Sequence, residues 1–249
     1  MQMDRTAIVT GGARGIGKAC AIGLAKAGFD IALVDLLEPE MQATASAIRA
    51  IGRRAIVHQA DVSDFARAGE IVSDVEKAFG RVDFLLNNAG ASNPTGILEI
   101  TEASFDRTIA INLKSCFNYI HHAAPIMLAQ GGGRITSISS LNALSGGVTA
   151  AVSKFAYASA KAGILGMTRA LAKELGPSIS INAICPGVIQ TEIDTLFTGE
   201  REAETVSGIA LGRLGCADDV ANLVVFLATS EPLFMTGQAL VVDGFQFKV

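Results

Sequence analysis

The chain has 249 residues, half of them apolar, a net charge of −4 and a mean hydropathy of +0.41. This composition suits a large core and subunit contacts. No apolar stretch reaches the roughly 18 to 20 residues a membrane helix needs, and no basic block offers a footprint for nucleic acid or an anionic surface. The first residues, Met1 to Arg5, lead straight into a strand pattern with no secretory-signal architecture, so a cytoplasmic protein acting on a small molecule is expected.

The first strand-like run, Thr6 to Val9, ends in Thr10-Gly11-Gly12-Ala13-Arg14-Gly15-Ile16-Gly17, which opens a helix-length segment, Lys18 to Ala27. Strand, glycine turn and helix in this order suit a pyrophosphate: the glycines permit a tight turn and close backbone approach, and the helix start supplies N–H groups and a favourable dipole. The same string also suits a plain turn. A second strand, Ile31 to Val34, leads to Asp35, about 20 residues beyond the loop, where a carboxylate accepts hydrogen bonds from an adenosine ribose and repels a 2′-phosphate. Leu36 and Leu37 follow without a basic residue, which favours NAD. Arg14 argues the other way, because a basic loop residue reaches a 2′-phosphate, so NADP stays the less favoured cofactor. Asp35 as a helix cap and Arg14 as a solvated side chain are the plainer alternatives.

A helix over Met41 to Ile51, a strand over Ala55 to Val57, Asp61-Val62, a helix over Ala66 to Phe79 and a strand over Val82 to Leu86 follow, the last running into Asn87-Asn88-Ala89-Gly90. This alternation predicts an α/β chain, a single domain over 1–249 built on a doubly wound parallel sheet. A long helical stretch, Phe105 to Ala129, carries Asn112 and the pair His121-His122. These histidines and His58 have no carboxylate cluster beside them, so no metal is expected. The scattered cysteines, Cys20, Cys116, Cys185 and Cys216, are expected to be buried and reduced.

Next come a strand over Arg134 to Ile138 ending at Ser139-Ser140, a helix over Ala156 to Leu175, and a strand over Ser180 to Ile184 running into Pro186-Gly187-Val188-Ile189-Gln190-Thr191. The segment 192–215 is polar, glycine-dotted and weakly periodic, and is expected to be a mobile substrate lid. A helix over Asp218 to Ala228, with an acidic start favoured by the helix dipole, and a strand over Ala239 to Val242 close the pattern.

Taken in order, the glycine loop, Asp61-Val62, Asn87-Asn88-Ala89-Gly90, Asn112, Tyr157-Ala158-Ser159-Ala160-Lys161 and Pro186 to Thr191 closely resemble the short-chain dehydrogenase/reductase family along nearly the whole chain. The resemblance implies a Rossmann-type fold with a seven-stranded parallel sheet, helices on both faces, and a homodimer or homotetramer. It implies that Gly11, Arg14, Gly15, Ile16 and Gly17 cradle the phosphates. Asp61 and Val62 would hold the adenine, and Asn88, Ala89 and Gly90 would support the nucleotide and central sheet. Pro186 and Gly187 would lead to Ile189 and Thr191 at the nicotinamide. Read alone, Asp61 could be a helix cap and Asn88 to Gly90 a turn. At the C-terminus the family's Asp-Gly-Gly is replaced by Asp243-Gly244-Phe245.

Tyr157 and Lys161 lie four apart, on one face of a helix. A free phenol, with a pKa of about 10, is a poor base at neutral pH, but a neighbouring ammonium favours the phenolate. Tyr157 is then the acid/base, taking a proton from an alcohol or returning one to a carbonyl. The resemblance also implies a serine after the fifth strand that bonds the substrate oxygen, and Ser140 is chosen. Leu144 stands at the family's usual spacing from the tyrosine and Ser140 lies four residues earlier, which predicts an insertion between Gly146 and Phe155. Ser145 and Ser153 are weaker candidates. Asn112 would hold a water near the lysine. Asn142, Leu144, Gly187-Val188 and a lid containing Ile193, Leu196 and Phe197 would select the substrate. The expected activity is NAD-linked oxidation of a secondary alcohol, sugar or polyol. The alternatives are a 3-oxoacyl-thioester reductase acting on an acyl carrier protein, and a catalytically silent dinucleotide-binding regulator.

Overall fold

Residues 5–147, 153–192 and 199–246 are described in the computed structural model. The first half comprises β1 (Arg5–Thr10), α1 (Gly15–Lys26), β2 (Phe29–Asp35), α2 (Glu38–Ala50), β3 (Ala55–Gln59), α3 (Phe65–Phe79) and β4 (Phe84–Asn87). After it come α4 (Glu102–Ile109), a π-helical turn (Ala110–Lys114), α5 (Ser115–Ala129), β5 (Gly133–Ile138), α6 (Asn142–Ser145), α7 (Phe155–Leu175) and β6 (Ile179–Pro186). The last elements are β7 (Ile189–Gln190), α8 (Glu200–Ser207), β8 (Gly215–Cys216), α9 (Ala217–Thr229) and β9 (Ala239–Val242).

Buried strand residues alternate between two apolar layers, as the two-residue period of a strand requires. Val9, Ile31, Leu33 and Leu86 pack with Leu24, Met41 and Val224 of α1, α2 and α9 on one face. Ile8, Val34, Leu85 and Ile135 pack with Ile71, Val75 and Tyr119 of α3 and α5 on the other. The seven strands run parallel in the order β3-β2-β1-β4-β5-β6-β9. The chain winds outward from β1 to β3, then returns to pair β4 with β1, with Val9 opposite Leu86. Such a reversal opens a crevice at the carboxyl ends of the two central strands, where α/β proteins bind nucleotides. This is the doubly wound seven-stranded sheet expected from the sequence.

Two local expectations change, at Phe105 to Ala129 and at Cys216. The stretch Phe105 to Ala129 is not one helix: a π turn separates α4 from α5 and places Asn112 at its centre. The segment 192–215 contains α8 and a short strand, β8, paired with β7; Ile193, Leu196 and Phe197 lie outside the described residues. Cys20, Cys116 and Cys185 are buried, and burial pushes their thiols up, but Cys216 is exposed. It caps α9, where its side chain accepts the N–H of Asp219 and the Asp219 carboxylate accepts the N–H of Cys216 at 2.8 Å. The acidic start of that helix is therefore a capping box.

Candidate active site

α1 begins without a side-chain cap at Arg14. Its first N–H, on Gly15, donates to Glu192 Oε1 at 3.1 Å, and Lys18 Nζ lies 3.7 Å from the same oxygen. The Glu192 carboxyl is held below the usual range by its own backbone N–H and that of Gly15, against the cost of burial, with Lys18 adding to the effect. The loop itself tolerates no side chains at two points. Gly11 has φ +67, and a Cβ there would stand 2.6 Å from Asn88 Nδ2. A Cβ on Gly17 would overlap the Gly11 carbonyl oxygen, so α1 can approach the loop only without one. Asn88 ties the loop to the end of β4, donating from Nδ2 to Thr10 O at 3.1 Å and Gly11 O at 3.0 Å.

A cleft of about 750 Å³ follows the carboxyl ends of the strands from this loop. At one end lie Arg14, Asp35, Leu36, Leu37, Asp61, Val62 and Arg107; Gly11, Ile16, Asn88, Ala89 and Gly90 line its middle. Asp35 is fixed by three backbone donors, Leu36 N at 2.7 Å, Leu37 N at 3.2 Å and Ala13 N at 3.2 Å. Asp61 is not a helix cap; Asp64 caps α3 by accepting from Arg67 N. Asp61 accepts from Ser63 N at 2.9 Å and Ser63 Oγ at 2.7 Å and pairs with Arg107 Nη2 at 2.8 Å. Desolvation opposes ionisation of Asp61, but the Ser63 bonds and Arg107 outweigh it and hold the carboxyl below its ordinary value.

The other end holds Ser140, Asn142, Ser153, Tyr157, Lys161, Pro186, Gly187, Val188, Ile189, Thr191 and Gln246. α7 carries Tyr157 and Lys161 on one face, with Lys161 Nζ 5.6 Å from the centre of the Tyr157 ring. Lys161 is 3 % exposed, and its Nζ donates to Ile138 O at 2.8 Å. The adjacent serines divide their work. Ser139 Oγ donates to Lys161 O at 2.7 Å and so faces α7, whereas Ser140 Oγ accepts from Asn142 N at 3.2 Å at the start of α6.

Asn112 is fully buried. Its Oδ1 accepts from Ala91 N at 3.1 Å, and its Nδ2 donates to Ala91 O and Thr108 O, both at 3.0 Å. Its side chain is thus a brace under the loop after β4. Gly90 belongs to the same packing: a Cβ there would stand 2.9 Å from Asn112 Oδ1 and 3.3 Å from Lys161 Nζ.

Comparison with known proteins gives this arrangement its family. A family model described as enoyl-(acyl carrier protein) reductase matches residues 11–244. The chain is 38% identical over 245 residues to an uncharacterized short-chain type dehydrogenase/reductase of Sinorhizobium fredii, covering 96% of each. It is 35% identical over 246 residues to a 3-oxoacyl-[acyl-carrier-protein] reductase of Staphylococcus aureus, covering 98% of each. The structure of a short-chain type dehydrogenase/reductase from Mycobacterium ulcerans superposes with a TM-score of 0.91 at 30% identity, over 98% of this chain and 90% of that one.

The chain belongs to the short-chain dehydrogenase/reductase family. As a member it is an oxidoreductase of a family that uses NAD(P). Of the catalytic and cofactor residues named from sequence, all but Gly15, Gly17 and Asn112 line the cleft, and these three shape the loop and the wall behind it; Leu144, expected to select the substrate, is exposed and does not line the cleft. Sequence reasoning missed Arg107, Glu192 and Gln246. Arg107 is 44 residues from its partner Ser63, so no local spacing marks it. Ser145 does not line the cleft, whereas Ser153 does, and 148–152 of the expected insertion lie outside the described residues. Among the described residues no group of three or more His, Cys, Asp or Glu is placed to hold a metal, and no helix is long and apolar enough to cross a membrane. His122 is a packing residue: its Nε2 is 3.1 Å from Phe65 O.

Proposed function

We propose that this oxidoreductase is an NAD-dependent dehydrogenase acting on a secondary alcohol, of the sugar, polyol or hydroxy-compound kind, and on the corresponding carbonyl in reverse. The observation that carries the proposal is the convergence of Tyr157, Lys161 and Ser140 at one end of a cleft whose other end presents Asp35. The cleft fits a dinucleotide, because Gly11 lines it without a side chain and Gly17 lets the start of α1 close against the loop.

Gly11, Arg14, Ile16 and the start of α1 would receive the pyrophosphate. Asp35 would accept from the adenosine ribose, and Ile189 and Thr191 would meet the nicotinamide. Bound NAD supplies the acceptor for the hydride. Ser140 Oγ donates a hydrogen bond to the substrate oxygen, and Tyr157 Oη removes the proton of that hydroxyl. Lys161 places a positive charge beside the ring, where it stabilises the negative charge that develops during the proton transfer. The side chain of Asn112 is committed to Ala91 and Thr108. The side chain is therefore not the group that would hold the water attributed to Asn112.

NAD is favoured because Asp35 is pinned by three N–H donors and cannot swing away from a 2′-phosphate. Relatedness to a 3-oxoacyl-[acyl-carrier-protein] reductase keeps thioester reduction as the second reading. The intact set of Tyr157, Lys161, Ser140 and Asn112 opposes a silent regulator. Turnover of a panel of alcohols, sugars and 3-oxoacyl thioesters with NAD(H) and NADP(H) tests the proposal. The expected result is NAD-linked alcohol oxidation that falls by about 10³-fold or more in Tyr157→Phe, with NADH binding within twofold of the parent. Activity retained in that variant, or a strong NADP preference, overturns it.

A further inference from the structure

The C-terminal turn delivers a side chain to the catalytic end of the cleft that the mechanism above does not use. Phe245 has φ +62 and is the one non-glycine residue with positive φ among those described. Bulky side chains rarely adopt this conformation. It is held by Phe245 N donating to Asp243 Oδ1 at 2.8 Å and by Gln246 N donating to Asp243 O at 3.1 Å. The ring of Phe245 is turned outward, 60% exposed, while Gln246 lines the cleft. Gln246 Oε1 accepts from Val188 N at 3.1 Å, and a Cβ on Gly187 would stand 2.8 Å from that same oxygen. The carboxamide is thereby fixed by its oxygen, and among the described residues nothing accepts from its Nε2.

A second carboxamide lies in the same end of the cleft. Asn142 is 8% exposed and its backbone N–H is held by Ser140 Oγ, yet its side-chain amide has no partner among the described residues. The amide lines the open cleft, where a ligand that offers both a donor and an acceptor takes the place of water. The cations of the cleft are placed for other partners, Lys161 for the Tyr157 ring. Arg14 and Arg107 lie at the Asp35 end, and Lys161 Nζ is bonded to Ile138 O.

We propose that Gln246 and Asn142 bind oxygen substituents next to the reacting carbon, so that the substrate is an uncharged vicinal polyol or its hydroxyketone. This rests on the dehydrogenase reading above and narrows it. Gln246 Nε2 donates to the neighbouring hydroxyl. Asn142, which both donates and accepts, suits a hydroxyl better than a carboxylate. A site with amides built for hydroxyl groups rejects analogues that lack them, because the amides are then left unpaired.

The test compares butane-2,3-diol, butan-2-ol and 3-hydroxybutyrate as substrates with NAD. It uses the full-length protein, Gln246→Leu and Gln246→Glu, with NADH binding followed by fluorescence. Gln246→Glu keeps an acceptor for Val188 N and replaces the Nε2 donor with a charged acceptor, so it reports on recognition even if the leucine variant folds poorly. The expected parent preference is the diol over the mono-alcohol by about tenfold or more in kcat/KM, shrinking to within about threefold in both variants. An unchanged preference in Gln246→Glu, or a parent preference for the mono-alcohol or the hydroxy acid, overturns the proposal. If the mono-alcohol is oxidised and Tyr157→Phe is inactive in such a case, the dehydrogenase reading survives alone. Oxidation of none of the three by an enzyme saturated with cofactor overturns both.

Discussion

Replacing Asn112 with Ala separates a bracing role from a proton-handling one. The change removes three hydrogen bonds, from Ala91 N and to Ala91 O and Thr108 O, made by a side chain with no solvent exposure. Each is worth about 1 kcal/mol net, and the stranded Ala91 amide adds about 1 kcal/mol of desolvation, giving a loss of about 4 kcal/mol. For a chain of this size about 1 kcal/mol moves the melting temperature by roughly 2 to 4 °C, so a fall of about 8 to 16 °C is expected. Ala91 and Gly90 line the cleft, and Gly90 also packs on Lys161. Weaker NADH binding and a lower kcat should therefore accompany the loss of stability. Thermal unfolding, NADH titration and steady-state kinetics on the same preparation check this. A melting temperature within about 2 °C of the parent with kcat strongly reduced would refute the brace and return the side chain to the proton path.

The two adjacent serines should separate cleanly. Ser139→Ala loses one buried bond to Lys161 O and should cost about 1 kcal/mol of stability with little change in kcat. Ser140→Ala should lower kcat/KM by about 10²-fold at nearly constant melting temperature; the reverse pattern would reassign the serine. Acid should weaken the fold through Asp61 and Asp219, whose carboxyls ionise below the ordinary range when folded, through Ser63 and Arg107 in one case and Arg213 and Cys216 N in the other. Because the folded values are lowered, their contribution is complete above about pH 4, the unfolded carboxylate range, and is lost as pH falls further. Urea midpoints measured between pH 6 and pH 3 should thus fall less steeply in Asp219→Asn than in the parent.

What the sequence revealed depended on how local each signal is. The glycine loop, Asp35 and the Tyr157–Lys161 pair are set by spacing within one turn or one βα unit, so their placement follows from chain order. Ser140 could not be told from Ser139 by spacing, because the choice depends on which hydroxyl faces α7; the bond from Ser139 to Lys161 O occupies that hydroxyl and leaves Ser140 as the proposed serine. Arg107 and Gln246 were invisible for a different reason. Each reaches the cleft from an element remote in sequence from its partner, Arg107 to Asp61 and Gln246 to Val188. The break in the helical stretch was likewise hidden, since an apolar run of this length gives no sign that one turn holds an extra residue.

That widened turn at Ala110–Lys114 acts as a phase shifter. A regular helix advances about 100° per residue, so one added residue rotates everything beyond it relative to everything before. α4 can therefore lean on α7, which carries Tyr157, while α5 turns its apolar side to α3 and the sheet. A single helical rod would have to choose between these neighbours. Divided in this way, the rod links the catalytic wall to the core while leaving each to keep its own packing direction.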